Sequence, residues 1–255
     1  MLFKETKGYS MVEKTMNREL PKTSEENKKY KFTDEHITIK INGVKHTLYR
    51  IKATKDIIDK SGKIIARAGD LGGFIEKEEN LDYHSNAWVS GNAMVFGDAK
   101  VTDSALVCEN AKVYGYAQVY GNARVSGNAQ VFDNAKILDY SWVFGNAKVY
   151  GGAVVSGYGV VSENAEVHGN AAIYHRAWVF GNAEVYGKAR IYGRARVSEN
   201  AQVYGDAEVY ENARVHGDAK VYGDTKVHGD ANVAKGLWCS YDITEKNPID
   251  KARRP

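Results

Sequence analysis

The stretch Ala117-Gln118-Val119-Tyr120-Gly121-Asn122-Ala123-Arg124-Val125-Ser126-Gly127-Asn128 holds one six-residue unit twice, Ala-x-Val-x-Gly-Asn. In an extended strand, Ala and Val two positions apart point to one side, and the x residues point to the other. Gly-Asn then turns a corner, because glycine and asparagine tolerate left-handed backbone angles. A single unit cannot bury its apolar side alone, so successive units must stack. Followed in both directions, the unit fills residues 87–233. A β-branched aliphatic residue recurs every six positions from Val89 to Val233, 25 times without a break. Two residues before each stands alanine, except at Ser141, Gly159 and Thr225. Internal repetition this regular outranks other fold signals.

The number of units per coil is legible at a period of 18. The column Asn92, Asn110, Asn128, Asn146, Asn164, Asn182, Asn200, Asp218 is nearly invariant, whereas the other two corner columns are mixed (Tyr116, Asn134, Gly152, Asn170, Lys188). Three hexads therefore close one coil. The chain reads as an all-β, single-stranded parallel β-helix of about eight coils, roughly 40 Å long at the usual strand spacing. Val and Ala fill a narrow interior, and stacked Asn side chains bond along one edge.

The flanks differ. Residues 1–35 carry eight Lys/Arg and seven Asp/Glu with little apolar periodicity, which suggests a polar, flexible segment. In 36–86, Ile37, Ile39 and Ile41 alternate with polar residues, Asn42-Gly43 signals a two-residue turn, and Val44–Ile51 returns as a second strand. This region reads as a small β cap, because a bare end of stacked strands would template further pairing. Residues 234–255 form a C-terminal cap or tail.

Composition narrows function. The 35 basic and 32 acidic residues leave a net charge of +3, too balanced for nucleic-acid binding by bulk electrostatics. Two cysteines, Cys108 and Cys239, argue against a disulfide framework or a thiolate zinc site. No apolar run approaches a membrane span and no leader is visible, so a cytoplasmic protein without membrane association is expected.

The repeat resembles the hexapeptide-repeat superfamily, the left-handed parallel β-helix best known from acyltransferases. The likeness rests on an aliphatic residue with a small residue four positions later, as in Val119 and Ala123, throughout 87–233. Left-handedness is implied by this resemblance alone. The segment Gly69-Asp70-Leu71-Gly72-Gly73-Phe74-Ile75-Glu76-Lys77-Glu78-Glu79-Asn80-Leu81 is similar to the cap of uncharacterised hexapeptide proteins of enterobacteria, phages and prophages.

Stepping by 18 also sorts the outward residues into three faces. One carries Trp88, Leu106, Arg124, Trp142, Val160, Trp178, Arg196 and Arg214 beside Ser90, Cys108, Ser126, Phe144, Ser162, Phe180, Ser198 and His216. Its apolar residues Trp88, Leu106, Trp142, Phe144, Val160, Trp178 and Phe180 form the candidate interface, with small residues leaving slots between bulky ones. The second face bears the aromatic column Phe96, Tyr114, Phe132, Tyr150, His168, Tyr186, Tyr204, Tyr222. Stacking along the column explains it as self-stabilisation, and Tyr186, Tyr204 and Tyr222 form a secondary candidate binding face. The third face is mixed and slightly basic.

No catalytic residue is assigned. His168, His216 and His228 replace aromatics on flat faces, His175 sits at a corner, and no loop interrupts the hexads. No metal, cofactor or phosphate-binding motif is found. The expectation is a non-enzymatic binding or assembly protein that uses a flat face for protein–protein contact. It pairs with itself, as a dimer rather than a trimer. The cap resemblance implies a phage-encoded protein that binds a bacterial host protein as the alternative. Acyltransfer is the third reading, on fold analogy.

Overall fold

The computed structural model describes residues 28–59 and 61–244. Each hexad forms one short strand whose second residue is the inward Val or Ile. Strands 18 residues apart are hydrogen-bonded neighbours, in parallel and in register. Gln118–Val119, for instance, lies between Lys100–Val101 and Lys136–Ile137. The result is a three-sided parallel β-solenoid with one sheet per side, holding twelve, nine and nine strands. About nine coils are stacked, one more than the hexads alone supply, because both caps add strands to the sheets.

The interior is a solid column of Val, Ile and Ala with essentially no solvent exposure. The three departures from alanine each have a local cause. Ser141 Oγ lies 2.7 and 3.1 Å from the carbonyls of Leu138 and Val155. Thr225 Oγ1 lies 2.7 and 3.1 Å from those of Tyr222 and Trp238. Both buried hydroxyls are thus satisfied. At Gly159 a Cβ would stand 3.0 Å from the Ser156 carbonyl oxygen.

The corners follow a rule that links coils. The first corner residue has positive φ and is usually glycine. Where it is instead Asp103, Glu109, Asp133, Asp139, Glu163, Glu199 or Glu211, the carboxylate accepts a hydrogen bond from the backbone N–H one coil further on. That donor is a glycine every time. A charge-assisted bond offsets the cost of left-handed backbone in an L-residue. Gly181 accepts no substitute easily: its φ is +71°, and a Cβ would lie 2.7 Å from the Glu199 nitrogen. Gly181→Ala is expected to cost at least about 1–2 kcal/mol from backbone strain alone, to be measured by thermal or denaturant unfolding. The Asn column forms a continuous chain, each Nδ2 donating to the next Oδ1 from Asn92 to Asp218 at 3.0–3.5 Å.

The N-terminal cap comprises β1 (Tyr30–Ile41), β2 (Val44–Ala53), β3 (Ile57–Ile58), β4 (Ile64–Ala66) and β5 (Leu71–Ile75). β1 and β2 are antiparallel around Asn42-Gly43, whose φ angles of 49° and 85° suit a tight hairpin. β2 pairs antiparallel with β5, and β5 pairs parallel with Met94–Val95, so the cap extends the aromatic-column sheet. The boundary expected at 35/36 is therefore corrected. The chain enters the sheet at Tyr30, which is fully buried and stacks on Tyr83 at 4.5 Å. Residues 1–27 of the expected flexible segment lie outside the described residues. At the other end, Leu237–Cys239 and Asp242–Ile243 pair with strands 17 and 16 residues earlier, which breaks the 18-residue period. Trp238 there fills the axial position that Val held below it. Among the described residues, no helix is long and apolar enough to cross a membrane.

Candidate protein-binding face

The sheet bearing Trp142 and Trp178 combines exposure with fixed geometry. Along one column, Arg124, Trp142, Val160, Trp178 and Arg196 are successive register partners. Trp142 is 39% exposed and Trp178 45%. The Arg124 guanidinium lies over the Trp142 ring at 5.6 Å, and the Arg196 guanidinium over Trp178 at 5.4 Å. Each indole is thus covered from its outer side, away from Val160. Trp142 Nε1 donates to Ser126 Oγ at 3.1 Å, which fixes the ring in place. Phe144 packs 4.3 Å from Trp142, and Phe180 meets Trp178 edge-on at 6.3 Å. Phe144, Val160 and Phe180 are half-buried, whereas Ser126 and Ser162 are buried, so the small residues leave no open slots between the rings.

Two members of the expected interface differ. Trp88 is only 1% exposed and belongs to the same core cluster as Ile57 and Ala66 of the β3–β4 hairpin. It is corrected from interface to core residue: a column position faces solvent only where no cap adjoins it. Leu106, one coil on, is half-buried against that cluster. The face gains two residues that the sequence reading passed over. Tyr140 and Tyr158 are 58% and 55% exposed at the adjoining corner, and their rings stack at 5.2 Å. Arg176 lies 5.9 Å from the Tyr158 ring centre. A corner position reads as a turn residue in the sequence. Their spacing of 18 was the available signal.

Charge sets this face apart. Between Leu106 and His216 its outward strand positions hold Arg124, Arg196 and Arg214 and no Asp or Glu. Glu109, Glu163 and Glu199 sit at the corner that follows these strands and are bonded to glycine N–H groups, and Glu199 also lies 3.7 Å from His216 Nδ1.

The aromatic column is arranged differently. Tyr186, Tyr204 and Tyr222 stack at 4.8 and 5.1 Å with planes within 7°. The stack continues through His168, Tyr150, Phe132 and Tyr114 to Phe96, over which His46 lies at 5.0 Å. Ring faces are occupied by neighbouring rings, so only edges and hydroxyls look outward. Burial, reinforced by Glu166, pushes the Tyr150 hydroxyl up to about 12. A shorter stack on the third face joins Tyr174, Tyr192, Tyr210 and His228.

Three outward histidines have polar partners, and two of them a second one, with His216 Nδ1 3.7 Å from Glu199 and His228 Nδ1 3.9 Å from Glu211. His168 Nε2 lies 3.0 Å from Glu184 Oε1, His216 Nε2 2.8 Å from Asn232 Oδ1, and His228 Nε2 2.6 Å from Asp242 Oδ1. His175 occupies a corner at φ 58°. Among the described residues, no group of three or more His, Cys, Asp or Glu is placed to hold a metal ion.

One buried charge lies outside these faces. Lys29 is 1% exposed, and its Nζ donates to the carbonyls of Ser85 and Ala87 at 2.8 and 2.6 Å. Burial draws its pKa down to about 7, with Asp82 opposing and Lys55 assisting. The unfolded chain, with the ordinary lysine value of 10.5, binds the extra proton between pH 7 and 10.5. The Lys29 contribution to stability should therefore rise with pH across that window, by up to about 1.4 kcal/mol per unit, opposed near pH 10 by the tyrosines whose hydroxyls the fold holds protonated. Lys29→Met should flatten that slope in denaturant unfolding measured from pH 7 to 10.5.

The repeat is similar to one known family model, the YdcK β-solenoid repeat, which matches residues 117–131, 189–205 and 201–217. No curated protein matches the chain.

Proposed function

We propose that this chain is a non-enzymatic binding and assembly protein that docks another protein on the flat sheet face centred on Trp142, Val160 and Trp178. The observation that carries the reading is the pair of exposed indoles, each oriented by an arginine and packed beside a phenylalanine. Trp, Tyr and Arg are the residues that dominate interface energies, and here they cluster on one rigid surface. The scaffold's coils contact only their neighbours, so such a face can vary without disturbing the core. Within this reading we place the chain among left-handed hexapeptide-repeat proteins with a phage-type cap. A bacterial host protein is the alternative occupant, supported by that cap likeness and by arginines that lack acidic neighbours on the strands. The stacked tyrosines from Tyr186 to Tyr222 are better suited to stiffening the solenoid than to capturing a flat ligand, because their π-faces are already occupied. The test is association measured by light scattering and pull-down for the wild-type chain and for Trp142→Glu/Trp178→Glu. Loss of association in the variant supports the reading, and unchanged association refutes it.

A further inference from the structure

Resting on that reading of the face, we infer that its occupant is a second copy of this chain, packed antiparallel about a two-fold axis between the coil of Phe144 and the coil of Ser162. The argument is self-complementarity. Each face has two outward columns, one through Trp142 and one through Phe144. An axis lying in the interface and perpendicular to the solenoid keeps each column opposite itself and reverses its direction.

With the axis in this position, no ring of the two strand columns meets another ring. Phe144 lies opposite the partner's Ser162, and Phe180 opposite the partner's Ser126, each serine being buried within its own face. Trp142 faces the partner's Val160. Trp178 lies opposite the partner's Arg124, an aromatic–guanidinium contact, and Arg196 lies opposite the partner's Leu106. At the corner, Tyr140 meets the partner's Tyr158. All four exposed aromatics of this region, Tyr140, Trp142, Tyr158 and Trp178, are then covered. The one like-charged meeting, Glu109 with the partner's Glu199, falls at the rim, where both carboxylates already accept glycine N–H bonds.

Three other arrangements are poorer on the same columns. An axis through the coil of Val160 sets Trp142 against the partner's Trp178, Phe144 against the partner's Phe180, and Arg124 against the partner's Arg196. An axis one half-coil further toward the C-terminus sets Arg124 against the partner's Arg214. A parallel dimer places Trp142 on the partner's Phe144, bulky against bulky. The favoured strip, from Leu106 to Arg196, is about 24 Å long at the usual strand spacing and narrow. It belongs at the small end of stable interfaces, so exchange between monomer and dimer should depend on concentration.

Light scattering over a concentration series, combined with spin-label distances, tests this. In a Cys108→Ser/Cys239→Ser background, a single nitroxide is placed at Asn110→Cys, Asn164→Cys or Asn200→Cys. These positions lie on one exposed corner bordering the face. The inferred axis puts the Asn164 labels about one coil, ~5 Å, apart along the solenoid. It puts the Asn110 labels and the Asn200 labels equally far apart, about five coils or ~24 Å each. A short distance at the centre with equal longer distances at the two ends supports the inference. A uniform distance along the column means a parallel dimer, unequal ends mean a different register, and a monomer at every concentration means no self-pairing; each overturns it. None of these three outcomes removes the docking face itself, which stands or falls separately on the Trp142→Glu/Trp178→Glu variant.

Discussion

Changing Trp142 and Trp178 together to glutamate is expected to leave the β-solenoid folded while reducing association by more than about a hundredfold. Both indoles project from the sheet, at 39% and 45% exposure, while the inward partners Val143 and Val179 are fully buried. The core therefore loses nothing. Each indole is a central, partly covered aromatic anchor, the class whose removal typically costs about 2 kcal/mol or more. The new carboxylates would pair with Arg124 and Arg196 within the same face, where the arginines now lie over the rings. That pairing further withdraws the arginines from a partner. Circular dichroism should be unchanged and light scattering should give the monomer mass. A variant that keeps the wild-type mass and the wild-type pull-down profile would show that this face is not the functional one.

Val161→Asp is expected to act in the opposite way, through stability alone. Val161 has no exposed surface and stacks between Val143 and Val179 in adjacent coils. Its surroundings are the aliphatic column, so a carboxylate there has no counter-charge within the core. Burying one costs several kcal/mol. Because each coil touches only its neighbours, the damage should begin near the coils of 143–179 and spread outward. Hydrogen exchange should show protection lost first there and retained longest in the β1–β2–β5 cap. Loss spread evenly over the molecule would contradict this locality.

The two experiments separate the outward and inward halves of a strand only two residues long. The sequence already divides them, since the residue before each aliphatic varies while the aliphatic itself does not. The reading of three units per coil came from the Asn column, and the hydrogen bonds from Asn92 to Asp218 follow it. The acidic corners were legible in principle. Each of Asp103, Glu109, Asp133, Asp139, Glu163, Glu199 and Glu211 precedes a glycine by 18 residues. The reason for that pairing, an N–H aimed at the carboxylate from the next coil, appears only in three dimensions.

What the sequence determined by itself is everything that depends on period: three-sided coils, inward Val and Ala, the Asn edge, the aromatic column and the order of residues on each face. A strict repeat has this power because every unit occupies the same environment, so one unit's reading transfers to all. Tertiary structure decided what lies where the repeat stops or meets something else. Trp88 has the same column position as Trp142, yet it is buried because the cap clusters with it. Tyr30 joins the sheet although its neighbours in sequence are charged, because β2 and Tyr83 offer it a buried site. The indoles of Trp142 and Trp178 are set by Ser126, Arg124 and Arg196, contacts that span neighbouring coils. Period fixes which side of the sheet a side chain takes, whereas its exposure depends on what else packs against that side, and no local pattern encodes that.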